Sequence, residues 1–201
     1  TERPGERRVR IGDTVTIEGE NLRAPRTLVQ FGGLAPVEVL PQPTGRIVTA
    51  AIPDDLALQP GTLALRVIAE RPPSGVGGGE GPGVPVGDLP VPPEPRHLSD
   101  TTVLQLIPRV TAAAVLPAAG PLAARLRVDG QRLFVAGAAT LVFVGDRVAA
   151  VGDPPNATAA PAPAAVEVRL ADLGAAAADL SGAAVRVRVN GAESADAVTV
   201  P

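Results

Sequence analysis

The sequence predicts an all-β chain of two β-sandwiches in tandem, and three observations carry that reading. The first is the stretch Gly12–Leu22, where Val15 and Ile17 alternate with Thr14, Thr16 and Glu18 at the period of a half-buried strand. The second is a run of short alternating segments at 8–12-residue spacing, punctuated by Gly and Pro. The third is a weaker copy of the opening stretch about 110 residues later.

Residues Thr1–Arg8 are charged and read as a linker or arm. The chain starts at Thr1 and contains no Met, so it is expected to be a piece of a longer polypeptide. Gly19 ends the opening strand, and Asn21-Leu22 leads into a loop. Thr27–Gly33 answers with a second strand and a Gly pair suited to a tight turn. Val37–Val39 is a short third strand and Arg46–Ile52 a fourth. Leu56–Leu58 is read as one turn. Thr62–Ile68 then alternates Leu63, Leu65 and Val67 inward.

Between Arg71 and Arg96 the chain is dominated by Pro and Gly. Proline lacks an amide donor and glycine loses the most backbone entropy, so no regular element is expected there. Thr102–Ile107 follows as a strand, which makes 71–96 a long loop within the first sandwich, and such loops are disordered or functional. Partner contact is expected here, at Arg71, Val76, Val84, Val86, Leu89, Arg96 and His97.

The second unit begins at Arg109. After the strand Arg109–Pro117, Ala124–Leu133 repeats the opening stretch, with Leu126 and Val128 for Val15 and Ile17. Gly130 matches Gly19 and Leu133 matches Leu22, at an offset of 111. Thr140–Gly145 matches Thr27–Gly33, with Phe143 set opposite Phe31 at an offset of 112. Val166–Leu170 and Gly182–Val189 supply the next two strands, and Val198–Pro201 the last. A short loop, Asn190–Ala197, stands where the first unit carries its Pro/Gly stretch, which marks that stretch as an insertion. Leu170–Leu180 is Ala-rich, and a helix of one or two turns is expected in it. The predicted division is an arm at 1–8, a first sandwich at 9–108 and a second at 109–201.

Composition narrows the chemistry. The chain is 45% hydrophobic with only three aromatics, so its core must be built from Val, Leu, Ile and Ala. There is no Cys, hence no disulfide framework and no thiolate chemistry. All basic residues are Arg, and the Ala/Gly/Pro/Arg bias points to a GC-rich bacterial genome. Ten Arg face thirteen acids up to Pro108 and eight face eight beyond it, so no basic face favours nucleic acid. No apolar run is long enough to span a membrane.

No catalytic, cofactor or metal site is expected, and the protein is read as a non-enzyme. His97 is the one histidine, which removes His-pair metal sites and most nucleophile–base arrangements. Ser74, Ser99, Ser181 and Ser194 carry no nucleophile motif, and Ser99-Asp100 reads as a turn or strand-start device. Gly77–Gly83 is not followed by Gly-Lys-Ser/Thr, so it is no phosphate loop. Asp54-Asp55 and Glu18/Glu20 lack the spacing of a calcium loop and read as solvated turns. Asn156-Ala-Thr158 is a formal glycosylation sequon without weight in a bacterial chain. Arg125, Arg127, Arg186 and Arg188 fall on one alternating face, read as solvated ahead of a partner patch.

The order strand–Gly–x–Asn/Arg–Leu, strand–Phe/Val–Gly, then Ile52-Pro53, Pro60-Gly61 and Leu63-x-Leu65-x-Val67 resembles the immunoglobulin-like IPT/TIG domains. Gly12–Val67 carries the likeness and Val110–Val189 carries it more loosely. The resemblance implies tandem immunoglobulin-like sandwiches, and it specifies fold rather than activity. A narrower resemblance lies in Leu58-Gln-Pro-Gly61, Leu65–Ile68 and Pro92–Val110. These are similar to the C-terminal region of cap, or tail-terminator, proteins of bacterial contractile injection systems, phage-tail-like particles. Gly77–Gly83 enlarges the family's Pro-rich loop, and nothing here matches its N-terminal capping domain, so no tube- or sheath-contacting residue is carried over. The resemblance implies a structural protein in a ring, with a hexamer expected, whose partners are its own copies and tube and sheath subunits. The particle would assemble in the bacterial cytoplasm and could be released from it. The alternatives left open are a cell-surface or secreted binding module and an accessory domain of a larger enzyme.

Overall fold

A computed structural model of the chain describes residues 7–22, 24–40, 45–70, 96–152 and 165–201. These residues are all-β. The first strands are β1 (Arg7–Val9), β2 (Thr14–Glu18), β3 (Arg26–Phe31), β4 (Val37–Val39) and β5 (Ile47–Ala51). Next come β6 (Gly61–Glu70), β7 (Arg96–Leu98), β8 (Thr102–Leu106), β9 (Arg109–Leu116) and β10 (Arg125–Gln131). The last are β11 (Thr140–Val144), β12 (Arg147–Ala150), β13 (Ala165–Arg169), β14 (Ala184–Val189), β15 (Ala192–Glu193) and β16 (Val198–Thr199). The helix expected within Leu170–Leu180 is a single 3-10 turn at Ala177–Leu180.

Packing divides the chain into two compact units that are not contiguous in sequence. The larger draws on Thr1–Asp13, Pro53–Leu63 and Val103–Pro201, and the smaller on Thr14–Ile52 and Ala64–Thr102. This differs from a linear cut at Pro108, and specific bonds account for the grouping. Arg132 donates to Asp54 and to the Asp55 carbonyl, Asn190 donates to the Pro60 carbonyl, and Arg10 pairs with Asp196. Arg7 and Arg8, read from sequence as part of an arm, are strand residues: β1 runs parallel to β8 with Arg7 opposite Leu104 and Val9 opposite Leu106.

In the larger unit β10 lies between β9 and β13, while β11 and β14 form the centre of a second sheet with β12, β15 and β16. Alternation explains the packing. Leu126 and Val128 from one sheet and Val142, Val144, Val185 and Val187 from the other meet in a single buried cluster. Burying each such side chain is worth roughly 1.5–3 kcal/mol relative to leaving it exposed, which lets a core nearly free of aromatics hold.

In the smaller unit β2 pairs with β5, setting Val15 against Ala50 and Ile17 against Val48. The sequence presents Thr27–Gly33 as the answering strand, but β3 belongs to another sheet, paired with β4 and with residues 65–70 of β6. Periodicity reports which face of a strand is buried and carries no information on its partner.

The two ladders correct the predicted register of the repeat. Phe31 pairs with Leu65, and the next amide, of Gly32, bonds the Ala64 carbonyl. In the copy Val144 pairs with Val185, and the Gly145 amide bonds the Ala184 carbonyl. The counterpart of Phe31 is therefore Val144, and that of Phe143 is Gln30. A one-residue slip moves a side chain to the other face: Phe31 is buried, whereas Phe143 is half-buried on the outer surface.

Candidate functional site

The insertion sits at the tip of one hairpin. In the larger unit β14 and β15 close through Asn190-Gly191, both at positive φ, a two-residue turn matched to strand twist. Arg188 there opposes Glu193 and Val189 opposes Ala192. In the smaller unit Ile68 opposes Leu98, Ala69 opposes His97 and Glu70 opposes Arg96. The chain between Glu70 and Arg96 thus takes the place of a two-residue turn. Of the expected contact residues, Arg71, Val76, Val84, Val86 and Leu89 lie outside the described residues, as does the sequon at Asn156. Arg96 and His97 begin β7, strand positions at the root of the insertion.

The base of each hairpin is held by the same device. The amide of Val67 donates to Ser99 Oγ at 2.9 Å, and the Ser99 amide bonds the Val67 carbonyl. In the copy, Val187 donates to Ser194 Oγ at 3.2 Å, and the Ser194 amide bonds the Val187 carbonyl. Both hydroxyls donate onward to a nearby aspartate carbonyl, at Asp100 and Asp196. Ser99, read from sequence as a turn or strand-start device, instead bonds across the ladder to Val67, 32 residues away. The matching role of Ser194 has no sequence signal, because its partner lies across a ladder.

Beside Ser99 a groove of about 370 Å³ opens between the loop Glu20–Leu22 and the hairpin residues Val67, Ala69, Leu98 and Ser99. The loop turns there because Asn21 adopts a left-handed conformation, φ 57°. Leu22 is buried and its carbonyl accepts from Thr27 Oγ1 at 2.9 Å, which pins the loop to β3. Leu98 is 61% exposed at the rim.

The four arginines read as one face lie on two sheets. Arg125 and Arg127 project from β10, and Arg186 and Arg188 from β14, whose inner residues share one core, so the two pairs point away from each other. Arg125 pairs with Glu167 and Arg127 with Asp129. The hydrogen bonds Arg127 donates to Asp129, followed by the charge of that carboxylate, raise the Arg127 pKa above the ordinary arginine value. Arg186 and Arg188 both reach Glu193, at 2.6 and 2.7 Å, and lie 5.8 and 5.0 Å from the Phe143 ring centre. Each arginine has a local partner, which makes these faces solvated and internally balanced.

The Asp54-Asp55 pair has structural work. Asp54 accepts from Arg132, and Asp55 Oδ1 accepts the Ala57 amide at 2.8 Å to close the turn at Leu56-Ala57. No known protein-family model matches the chain, and no curated protein sequence does.

Proposed function

We propose that the chain is a non-enzymatic structural protein of two tandem immunoglobulin-like sandwiches. In this reading it is a cap, or tail-terminator, component of a bacterial contractile injection particle, bracing neighbouring copies in a ring and meeting the tube and sheath end. What supports the structural part is the shared hairpin frame. Two copies of one ladder, each pinned by an equivalent serine, differ at a single tip, where one carries a two-residue turn and the other carries residues 71–95. A repeated frame with one elaborated tip suits a module that sets distances and offers one contact. The step to a cap component rests on the resemblance of Leu58–Ile68 and Pro92–Val110. Electron microscopy of the full-length protein tests it. Rings, expected to be sixfold, that end tube and sheath assemblies support it, and a strict monomer that ignores both overturns it.

The groove at Glu20–Leu22 favours a second reading, a cell-surface or secreted binding module. Surface display of the native protein, with no ring formation, would select that reading over the first.

A further inference from the structure

The turn between β14 and β15 carries chemistry that its role in the hairpin leaves unused. Asn190 is the one asparagine of this chain followed by glycine; Asn21 precedes Leu22 and Asn156 precedes Ala157. Attack by the next residue's backbone nitrogen on an asparagine side-chain amide closes a small imide ring. Where that next residue is glycine, no Cβ hinders the approach. Asn190 and Gly191 are both exposed, so water and hydroxide reach them.

The surrounding bonds hold the asparagine and leave the attacking nitrogen uncommitted. The Asn190 backbone amide donates to the Ala139 carbonyl at 3.1 Å, and Nδ2 donates to the carbonyl of buried Pro60, also at 3.1 Å. No described residue accepts from the Gly191 amide. Asn21 supplies the contrast. It has a similar left-handed backbone, φ 57° against 48° for Asn190. The next amide there, of Leu22, is committed to the Gly45 carbonyl at 3.0 Å, and the Leu22 side chain is buried. Backbone conformation is thus common to both sites, while the uncommitted nitrogen and the missing side chain are particular to Asn190-Gly191.

We propose that Asn190 is a site of spontaneous deamidation, and that its conversion releases the β14–β15 turn from the Pro60 carbonyl. The Gly191 nitrogen, its proton taken by solvent base, bonds to Asn190 Cγ. The Cγ–Nδ2 bond breaks, and ammonia leaves with a proton from water. Water then opens the imide at either carbonyl to give aspartate or isoaspartate, so that overall water enters and ammonia leaves. Either product puts a carboxylate where the Nδ2 donor stood, acceptor against acceptor at Pro60. Isoaspartate also routes the main chain through Cβ, and a lengthened turn cannot keep the register that sets Arg188 against Glu193. The inference does not depend on assembly into a ring.

Peptide mapping by mass spectrometry tests the first step on the 201-residue protein aged in mildly alkaline buffer, with the blocked peptide Arg-Val-Asn-Gly-Ala-Glu as the unfolded reference. Conversion at Asn190, none at Asn21, and a rate that rises with hydroxide are expected. An intact Asn190 at the time the reference peptide has fully converted overturns the proposal, because the fold then protects the site. Asn190→Asp tests the consequence. Aspartate tolerates a left-handed backbone as asparagine does, so the turn should still form. The folded-to-unfolded ratio should fall about tenfold, the scale of a lost hydrogen bond that leaves a buried acceptor unpaired. NMR shifts at Gly61 should accompany the loss. Stability equal to wild type, with an unchanged Gly61 signal, would show that no contact at Pro60 is released and overturns that part of the proposal.

Discussion

The Arg132 guanidinium donates to Oδ1 of Asp54 at 2.9 Å and, from the same nitrogen, to the Asp55 carbonyl at 2.8 Å. The two ends of this contact are unequal, because the Arg132 side chain is 7% exposed and that of Asp54 is 73% exposed. Removing the arginine strips a buried donor from both acceptors. Arg132→Ala should therefore cost about 1.5–3 kcal/mol. Asp54→Ala leaves the carbonyl bond in place and should cost under about 1 kcal/mol. Urea unfolding of the two variants checks the order, and equal costs would show that the carbonyl bond contributes nothing.

Gly130 and Gly19 occupy the same place in the repeat and should respond differently to a methyl group. A Cβ at Gly130 would sit 2.0 Å from the Arg109 carbonyl oxygen, at the bulge where the β9–β10 register shifts. A Cβ at Gly19 would meet only the Leu22 side chain, at 3.3 Å. Backbone cannot retreat as a leucine methyl can. Gly130→Ala should cost about 3 kcal/mol or more, and Gly19→Ala about 1 kcal/mol or less. Thermal unfolding of both variants measures the gap.

The frame of the fold was legible because strand alternation is local: Val15/Ile17 and Leu126/Val128 bury one face, as their pattern demands. What was missed depends on partners. Strands β1, β7, β12 and β15 are two to four residues long, too short to show a period, and exist because a neighbour offers them a ladder. The matching of Phe31 to Phe143 failed because residue likeness outweighed face, whereas the hydrogen-bonded pairs set Phe31 against Val144. Arg132 carried no signal beyond its place in the Gly-x-Asn/Arg-Leu pattern, since nothing in its neighbourhood marks Asp54, 78 residues away, as its acceptor. The insertion between Arg71 and Arg96 was read by setting the two copies side by side, and the ladder supplies its root at Glu70 and Arg96.

Thr27 and Thr140 are both buried at equivalent ladder positions, opposite Ala69 and Val189. Thr27 Oγ1 donates to the Leu22 carbonyl, while Thr140 Oγ1 has no hydrogen-bond partner among the described residues. A buried hydroxyl without a partner carries its desolvation cost uncompensated. Thr140→Val should therefore be neutral or stabilising, and Thr27→Val should cost about 0.5–1.5 kcal/mol. A loss of more than about 1 kcal/mol in Thr140→Val would mean that the hydroxyl is bonded in solution.

Ser99 and Ser194 make the same bond in different surroundings, which separates the worth of the bond from the cost of leaving an amide unpaired. Ser194 is 4% exposed and its bond to Val187 is buried, whereas Ser99 is exposed and its bond to Val67 only partly so. Deleting the Ser194 hydroxyl leaves the Val187 amide with no water to replace it. Ser194→Ala should cost about 1–3 kcal/mol. Deleting the Ser99 hydroxyl lets water take over, so Ser99→Ala should cost about 0.5–1 kcal/mol. Amide hydrogen exchange should follow the same split, with Val67 losing protection locally in Ser99→Ala and Val187 exchanging only through wider opening in Ser194→Ala. If the two substitutions cost the same and both amides exchange locally, water reaches the two hairpin bases equally and the burial argument is wrong.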